Sequence, residues 1–251
     1  MIKENFYKTI FKRKSIRKYD LTPLEDQKLI EIKEFVSKIE PLYDNIETEI
    51  RLVQKEEINL LVPIKAPHYL MMTSQNKEGY LTNAGYMLQQ VDLFLSTNGL
   101  GSCYIGMALP TKDTKSGSKL DFILILGFGN PAEEVHRESI SQFKRKPLIK
   151  ITDIIGSDEI LEPARLAPSA TNSQPWFFTG DNGVINCYCI KSNIIKALVY
   201  EKLNKIDMGI AICNITVAAK HLGKQVEVIT DKAAQDDHPK GYYYIITLKL
   251  R

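Results

Sequence analysis

The chain has 251 residues, 44% hydrophobic and 25% charged, a composition that excludes a disordered chain and allows one large domain or two small ones. Its 33 basic and 30 acidic residues leave a formal charge of +3, too small an excess to point to nucleic acid or an anionic membrane as partner. No apolar run approaches the roughly 20 residues that span a bilayer, and the N-terminal MIKENFYKTIFKRKS lacks the apolar core of a signal peptide, so a cytoplasmic protein is expected.

In chain order, residues 1–12 read as an amphipathic helix with Ile2, Phe6 and Ile10 on one face and Phe11 beside them. It leads into Arg13-Lys14-Ser15-Ile16-Arg17-Lys18-Tyr19, where cations around a hydroxyl suit either a phosphate or a solvated basic turn. Thr22, Pro23 and Glu25 have the form of a capping box, predicting a helix to about Ile39 that stops before Pro41. Strands are predicted at Thr48–Val53 and His68–Ser74, with Leu60–Ala66 as their connection. The run from Asn83 reads as a buried helix through Gly85, Leu88, Val91 and Leu95, ending in a Gly-rich turn at Gly99 and Gly101. Residues 107–120 read as a polar loop, and Phe122–Leu126 as a buried strand.

Gly127-Phe128-Gly129-Asn130-Pro131-Ala132 after that strand imitates a dinucleotide fingerprint. The acidic ribose ligand expected about 20 residues on is missing, so the motif is read as a strand and turn. Lys144-Arg145-Lys146 is a second phosphate candidate or a solvated surface. From Ile151 a new unit begins. Ser157, Asp158 and Glu159 open a helix that runs through Ala167 to Pro168.

Ser169-Ala170-Thr171-Asn172-Ser173-Gln174 then offers uncharged hydroxyl and amide groups before the Trp176-Phe177-Phe178 strand. This is either an ordinary corner or an edge able to dock a flat polar ring. A strand at Val184–Ile190, a helical insertion at Lys191–Lys205, a buried helix at Asp207–His221, a polar loop at Asp231–Lys240 and a strand at Tyr242–Leu250 complete the chain. Cys103, Cys187, Cys189 and Cys213 lack metal-ligand spacing, so reduced structural thiols and no metal are expected. His68, His136, His221 and His238 are scattered, and no catalytic constellation is evident.

The two halves share one layout. Asn83-Ala84-Gly85 matches Asp207-Met208-Gly209 without a gap, because Gly99 and Gly223 each follow fourteen residues after the matched glycine. Two copies of an α+β unit about a pseudo-two-fold are therefore expected, as repeats 1–151 and 152–251. The motifs are divided between them: the RKS cluster, GSCYIG and the basic trio in the first, APSATNSQPW in the second.

Arg13-Lys14-Ser15-Ile16-Arg17, Gly99 to Gly106, Arg145-Lys146-Pro147-Leu148 and Ala167 to Trp176 together resemble the FMN-dependent nitroreductase family, and specifically its subgroup with a single-chain pseudo-dimer layout. The order departs from that of the usual family, with APSATNSQPW after the basic pair, which implies one chain keeping one of two flavin sites. The resemblance implies a three-layer α/β/α sandwich with two duplicated halves packed as a pseudo-dimer, able to stand as a monomer. It implies one tightly bound FMN, NAD(P)H as donor, and a nitroaromatic or quinone-like acceptor served by a ping-pong route, with no catalytic side chain because the flavin carries the chemistry. By residue, it implies that Arg13, Lys14, Ser15, Arg145 and Lys146 meet the phosphate and ribityl chain. Pro168, Ser169, Ala170 and Asn172 would line the flavin from the second half, and Tyr104, Ile105 and Gly106 would lie near N5. The alternatives are a non-enzymatic or regulatory flavin-binding protein, or a flavin enzyme of the same fold performing dehalogenation or flavin breakdown.

Overall fold

In the computed structural model residues 5–191 and 197–251 are described, without the side chains of 197–199. Residues 1–4 of the expected first helix and 192–196 of the expected insertion lie outside them. The first sheet has the order β1 (Thr48–Val53), β3 (His68–Ser74), β6 (Asp121–Gly129), β4 (Gly101–Ile105), all antiparallel. The second repeats it as β7 (Trp176–Gly180), β8 (Val184–Ile190), β10 (Tyr242–Leu250), β9 (Val226–Ile229), again all antiparallel. A short ribbon of β2 (Ile58–Leu60) and β5 (Ala108–Pro110) is added to the first half.

Each half sends one long helix into the middle, α3 (Tyr80–Thr97) and α6 (Ala197–His221), and the two pack on each other and on their own sheets. Leu81 to Ser96 of α3 are buried throughout, so this helix is a core element on all sides. The crossing is set by glycine. A Cβ on Gly85 would lie 2.0 Å from Ile206 O, and one on Gly209 1.9 Å from Thr82 O, so each helix touches the backbone three residues before the other's glycine. Both helices end alike: Gly99 and Gly223 take φ of +75°, and Leu100 N–H and Lys224 N–H return to Leu95 O and Ala219 O at 2.9 Å. The duplication is thus visible in strand order, helix crossing and helix caps.

Around the pair sit α1 (Asn5–Ile10), α2 (Asp26–Val36) and α5 (Asp158–Arg165). The main core joins Phe6, Leu88, Phe128, Leu161, Trp176 and Ile212 across both halves. A second apolar cluster around Ile16, Tyr69, Met71 and Ile125 is separate from it and includes Ile58 and Ala108 of the ribbon. Segment 13–19 runs beside β4, with Ile16 N–H donating to Ser102 O at 2.9 Å; Gly101 is required there, since a Cβ would meet Ile16 at 2.7 Å. Segment 151–153 runs beside β7, with Phe178 N–H donating to Ile151 O at 2.8 Å.

Several expectations are corrected. The second helix begins at Asp26 without a side-chain cap, not at Thr22. Leu24 instead docks, 7% exposed, with its N–H donating to His68 Nε2 at 2.8 Å. The GSCYIG turn is strand β4, and the GFG of the false fingerprint continues β6. The loops at 107–120 and 231–240 contain β5 with α4 (Lys112–Ser116) and α7 (Lys232–Asp236). From Ala197 on, the insertion is continuous with the buried helix. The helix before Pro168 ends at Arg165, with Ser157 at its N-cap but its hydroxyl turned to Asn182 Oδ1.

Candidate functional site

From α5 the chain passes through the buried Leu166 and Ala167 and the buried Pro168 into the loop of Ser169 to Gln174. Thr171, Asn172 and Gln174 have φ of +52°, +58° and +48°, and Lys144 has +49°. Among the described residues these are the non-glycine residues with positive φ. Each left-handed placement costs on the order of 1–2 kcal/mol, and such strain concentrates where a surrounding structure dictates it for function.

That surrounding structure is the basic segment of the first half. Arg145 donates through Nε to Ala167 O (3.1 Å), through Nη1 to Phe143 O (2.8 Å) and Asn172 Oδ1 (2.5 Å), and through Nη2 to Leu166 O (3.4 Å). Asn172 Nδ2 donates back to Lys144 O at 3.0 Å. Lys146 N–H donates to Gln174 Oε1 at 2.7 Å, while its Nζ reaches Ser173 O and Gln174 O at 3.1 and 2.9 Å. Arg145, Lys146 and Asn172 are therefore brought together across the halves. Ser169 Oγ accepts Gln174 N–H at 3.0 Å, closing the loop on itself.

Arg13 is 1% exposed, paired with the fully buried Asp92 at 3.0 Å, and its Nη2 also approaches Asp92 Oδ1 at 3.2 Å and Ser15 Oγ at 3.3 Å. Ser102 Oγ donates to the same carboxylate at 2.6 Å. Arg13 thus holds Ser15 from behind. Lys14 is turned to Glu133 at 3.3 Å, and Glu133 also accepts the N–H of Arg17.

A further arginine completes the group. Arg137 donates to Arg13 O and lies 4.1 Å over the Phe143 ring, with Arg145 5.8 Å from the same ring centre. Burial, with Arg13 and Arg17 nearby, pushes Arg137 down to about 10; burial, with Arg13, Arg137 and Arg165, does the same to Arg145. Three mutually repelling guanidinium groups with Asp92 as the carboxylate among them leave net positive charge in a partly dry place. That is the electrostatic signature of an anion site.

On β4, Tyr104 donates its hydroxyl to Gln89 Oε1 at 2.9 Å; Gln89 Nε2 continues to Asn214 Oδ1 at 3.0 Å, and Asn214 Nδ2 to Pro163 O at 2.9 Å. This chain ties the strand to α3, α6 and α5. Burial, then Asp92, pushes the Tyr104 hydroxyl well up. Ile105 is buried in the second apolar cluster, and Gly106 and Met107 are exposed, with Leu203 of α6 3.7 Å from where a Gly106 Cβ would stand. Beneath the loop, Asp207 of α6 accepts Ala170 N–H at 3.0 and 3.1 Å.

A crevice of about 1120 Å³ lies elsewhere, lined among others by Tyr43, Asn45, Tyr80, Lys205, Thr230 and Tyr243. Its walls match those of the loop site by the duplication: the stretch around Tyr43 corresponds to the polar loop, and Thr230 to Gly106. None of the twelve expected site residues lines it, nor does any arginine. Lys205 is paired with Glu201 at 2.9 Å, and Lys77 donates to Asn45 O. Arg137 and Asp207 were not expected from the sequence. Arg137 sits in no motif, whereas Asp207 was detectable as the match of Asn83.

The family model described as "Putative TM nitroreductase" matches residues 5–219. Among solved structures, a protein from Thermotoga maritima described as a "putative nitroreductase" is similar over 98% of this chain and 93% of its own, at 18% identity and a TM-score of 0.67. A nitroreductase family protein from Clostridium difficile 630 is similar over 60% of this chain and 96% of its own, at 16% identity and a TM-score of 0.46. The NADPH:FMN oxidoreductase from Vibrio harveyi complexed with NAD+ is similar over 53% of this chain and 72% of its own, at 17% identity and a TM-score of 0.41. Comparison with curated proteins gave no match.

Proposed function

Because the chain belongs to the TM nitroreductase family, whose model covers residues 5–219, we propose that it is an FMN-dependent oxidoreductase. In this reading it passes a hydride from NAD(P)H to a small conjugated acceptor, nitroaromatic or quinone-like, by a ping-pong route. The observation that carries the reading is the convergence of Arg137 and Arg145 beside the Arg13–Asp92 pair, at a loop held in left-handed conformations. FMN brings a dianionic phosphate, and the donor set fits it: guanidinium groups short of carboxylates and the Ser15 hydroxyl, with Lys146 adding charge while its Nζ holds the loop and Lys14 reaching the phosphate only by leaving Glu133.

Arg145 and Arg137 hold the phosphate, and Arg13 acts through Ser15. Pro168, Ser169, Ala170 and Asn172 line the cofactor from the second half, and Tyr104, Ile105 and Gly106 from β4. When bound, FMN supplies the hydride relay. The protein supplies position, positive charge and a dry wall, and the exposed Gly106 and Met107 leave an approach that donor and acceptor use in turn. The second crevice lacks the arginines, so one FMN binds per chain, and because both half-sites come from one chain a monomer suffices.

The test is to load the protein with FMN and add NADH or NADPH without oxygen. The flavin absorption is expected to bleach and to return on addition of a quinone or nitroaromatic. A bound flavin that neither donor bleaches would overturn the oxidoreductase reading and favour a flavin-binding protein.

A further inference from the structure

Asp207 is 4% exposed, and none of the ion pairs among the described residues includes it. Its carboxyl accepts Ala170 N–H through both oxygens, and Ser173 Oγ lies 3.4 Å away. The titratable groups that respond to it are Tyr104 on β4 and Cys189 on β8, and both are pushed upward, chiefly by burial. Among the described residues, no lysine or arginine contributes to its own shift. Burial pushes the Asp207 carboxyl up to about 8, although the bonds from Ala170 and Ser173 pull the other way.

The other half does the same work without an ionisable group. Asn83, matched to Asp207 by the glycine two residues on, is fully buried and accepts the N–H groups of Leu42 and Tyr43 at 2.8 and 3.1 Å. That stretch is the first half's match of the Ser169–Asn172 loop. A neutral amide is therefore enough to hold such a loop. What a carboxyl adds is a proton that the closed loop keeps and an opened, wetted loop releases.

We propose that Asp207 is the positioning residue of the Pro168–Asn172 loop and couples closure of that loop to proton uptake, so that the site's grip on its ligand weakens as the solution becomes alkaline. The identity of the ligand rests on the flavin reading; the coupling of Asp207 to the loop does not. The sign follows from linkage. The closed loop holds Asp207 above its ordinary value near 3.8, so closure is favoured most in acid, loses at most about tenfold per pH unit between about 4 and 8, and is level above that.

The experiment compares wild type, Asp207→Asn and Asp207→Ala. In protein without added flavin, the Ala170 amide resonance is followed from pH 5 to 10; in parallel, the FMN dissociation constant is measured at each pH. The wild-type Ala170 resonance is expected to titrate with a midpoint below the closed-loop value of about 8, because opening of the loop in the unliganded protein lets the carboxyl ionise earlier, and that of D207N to stay flat, as the Asn83 arrangement implies. The FMN affinity of wild type relative to D207N should fall at least fivefold from pH 6 to 8, a ratio that cancels the titration of the FMN phosphate itself. D207A should bind FMN more weakly at every pH. An Ala170 resonance that is flat in wild type, or an affinity ratio independent of pH, overturns the proposal. If wild type binds no FMN at any pH, the flavin reading fails while the Ala170 titration still decides whether Asp207 governs the loop.

Discussion

Replacing Asp92 by asparagine removes one charge from the centre of the arginine group and almost nothing else. The new amide would keep the volume and still accept from Ser102, but the Arg13 guanidinium, 1% exposed, would face a neutral group where it now has a carboxylate at 3.0 Å. Arg137 and Arg145, which already repel it, would then be unopposed. Breaking one side of a buried pair costs about 3–5 kcal/mol, a large part of the roughly 5–15 kcal/mol that holds a domain folded. With a urea slope of about 3 kcal/mol per molar, the unfolding midpoint, followed by the single buried Trp176, should drop by about 1–1.7 M. Lys28→Ala, which breaks the exposed Lys28–Glu31 pair, should move it by less than about 0.2 M. Inorganic phosphate should raise the midpoint of D92N more than that of wild type, because the freed guanidinium then joins the anion site. A D92N midpoint within about 0.3 M of wild type, or no added response to phosphate, would refute this account of the cluster.

Two other predictions follow from the geometry. Gly209→Ala places a Cβ 1.9 Å from Thr82 O, so the helices must part by about 1 Å; a loss of about 3 kcal/mol or more is expected by urea unfolding, against under about 1 kcal/mol for Gly223→Asn, whose left-handed cap has open space around it. Arg145→Ala removes the clamp on Leu166, Ala167 and Asn172 together with a phosphate donor. At about 1.5–3 kcal/mol for a charged bond, FMN should dissociate roughly ten- to a hundredfold more readily by fluorescence titration, with Lys28→Ala unchanged.

What the sequence made legible was whatever local pattern alone decides. The strands at 48–53, 68–74, 184–190 and 242–250 fall where alternation and turn residues put them, and the spacing of Gly85, Gly99, Gly209 and Gly223 carried the duplication. The misses came where tertiary contact outweighed local chemistry. Thr22 has the form of a cap, but burying Leu24 against His68 moves the helix start to Asp26. Gly101 and Ser102 look like a turn because they are small, yet they are small so that segment 13–19 can lie against β4. The loop residues at 168–174 and the Arg145–Lys146 pair were legible as motifs, but their mutual clamp depends on two halves meeting. Arg137 left no local trace, since its role arises only where the backbone of Arg13 and the ring of Phe143 come beside it.

The central claim is that a duplicated chain retains one flavin site, assembled from the arginines of the first half and the loop of the second. Flavin absorbance against protein concentration, after saturating the purified chain with FMN and removing the excess, tests it most directly. One FMN per chain is predicted; two per chain, or none retained, would contradict it.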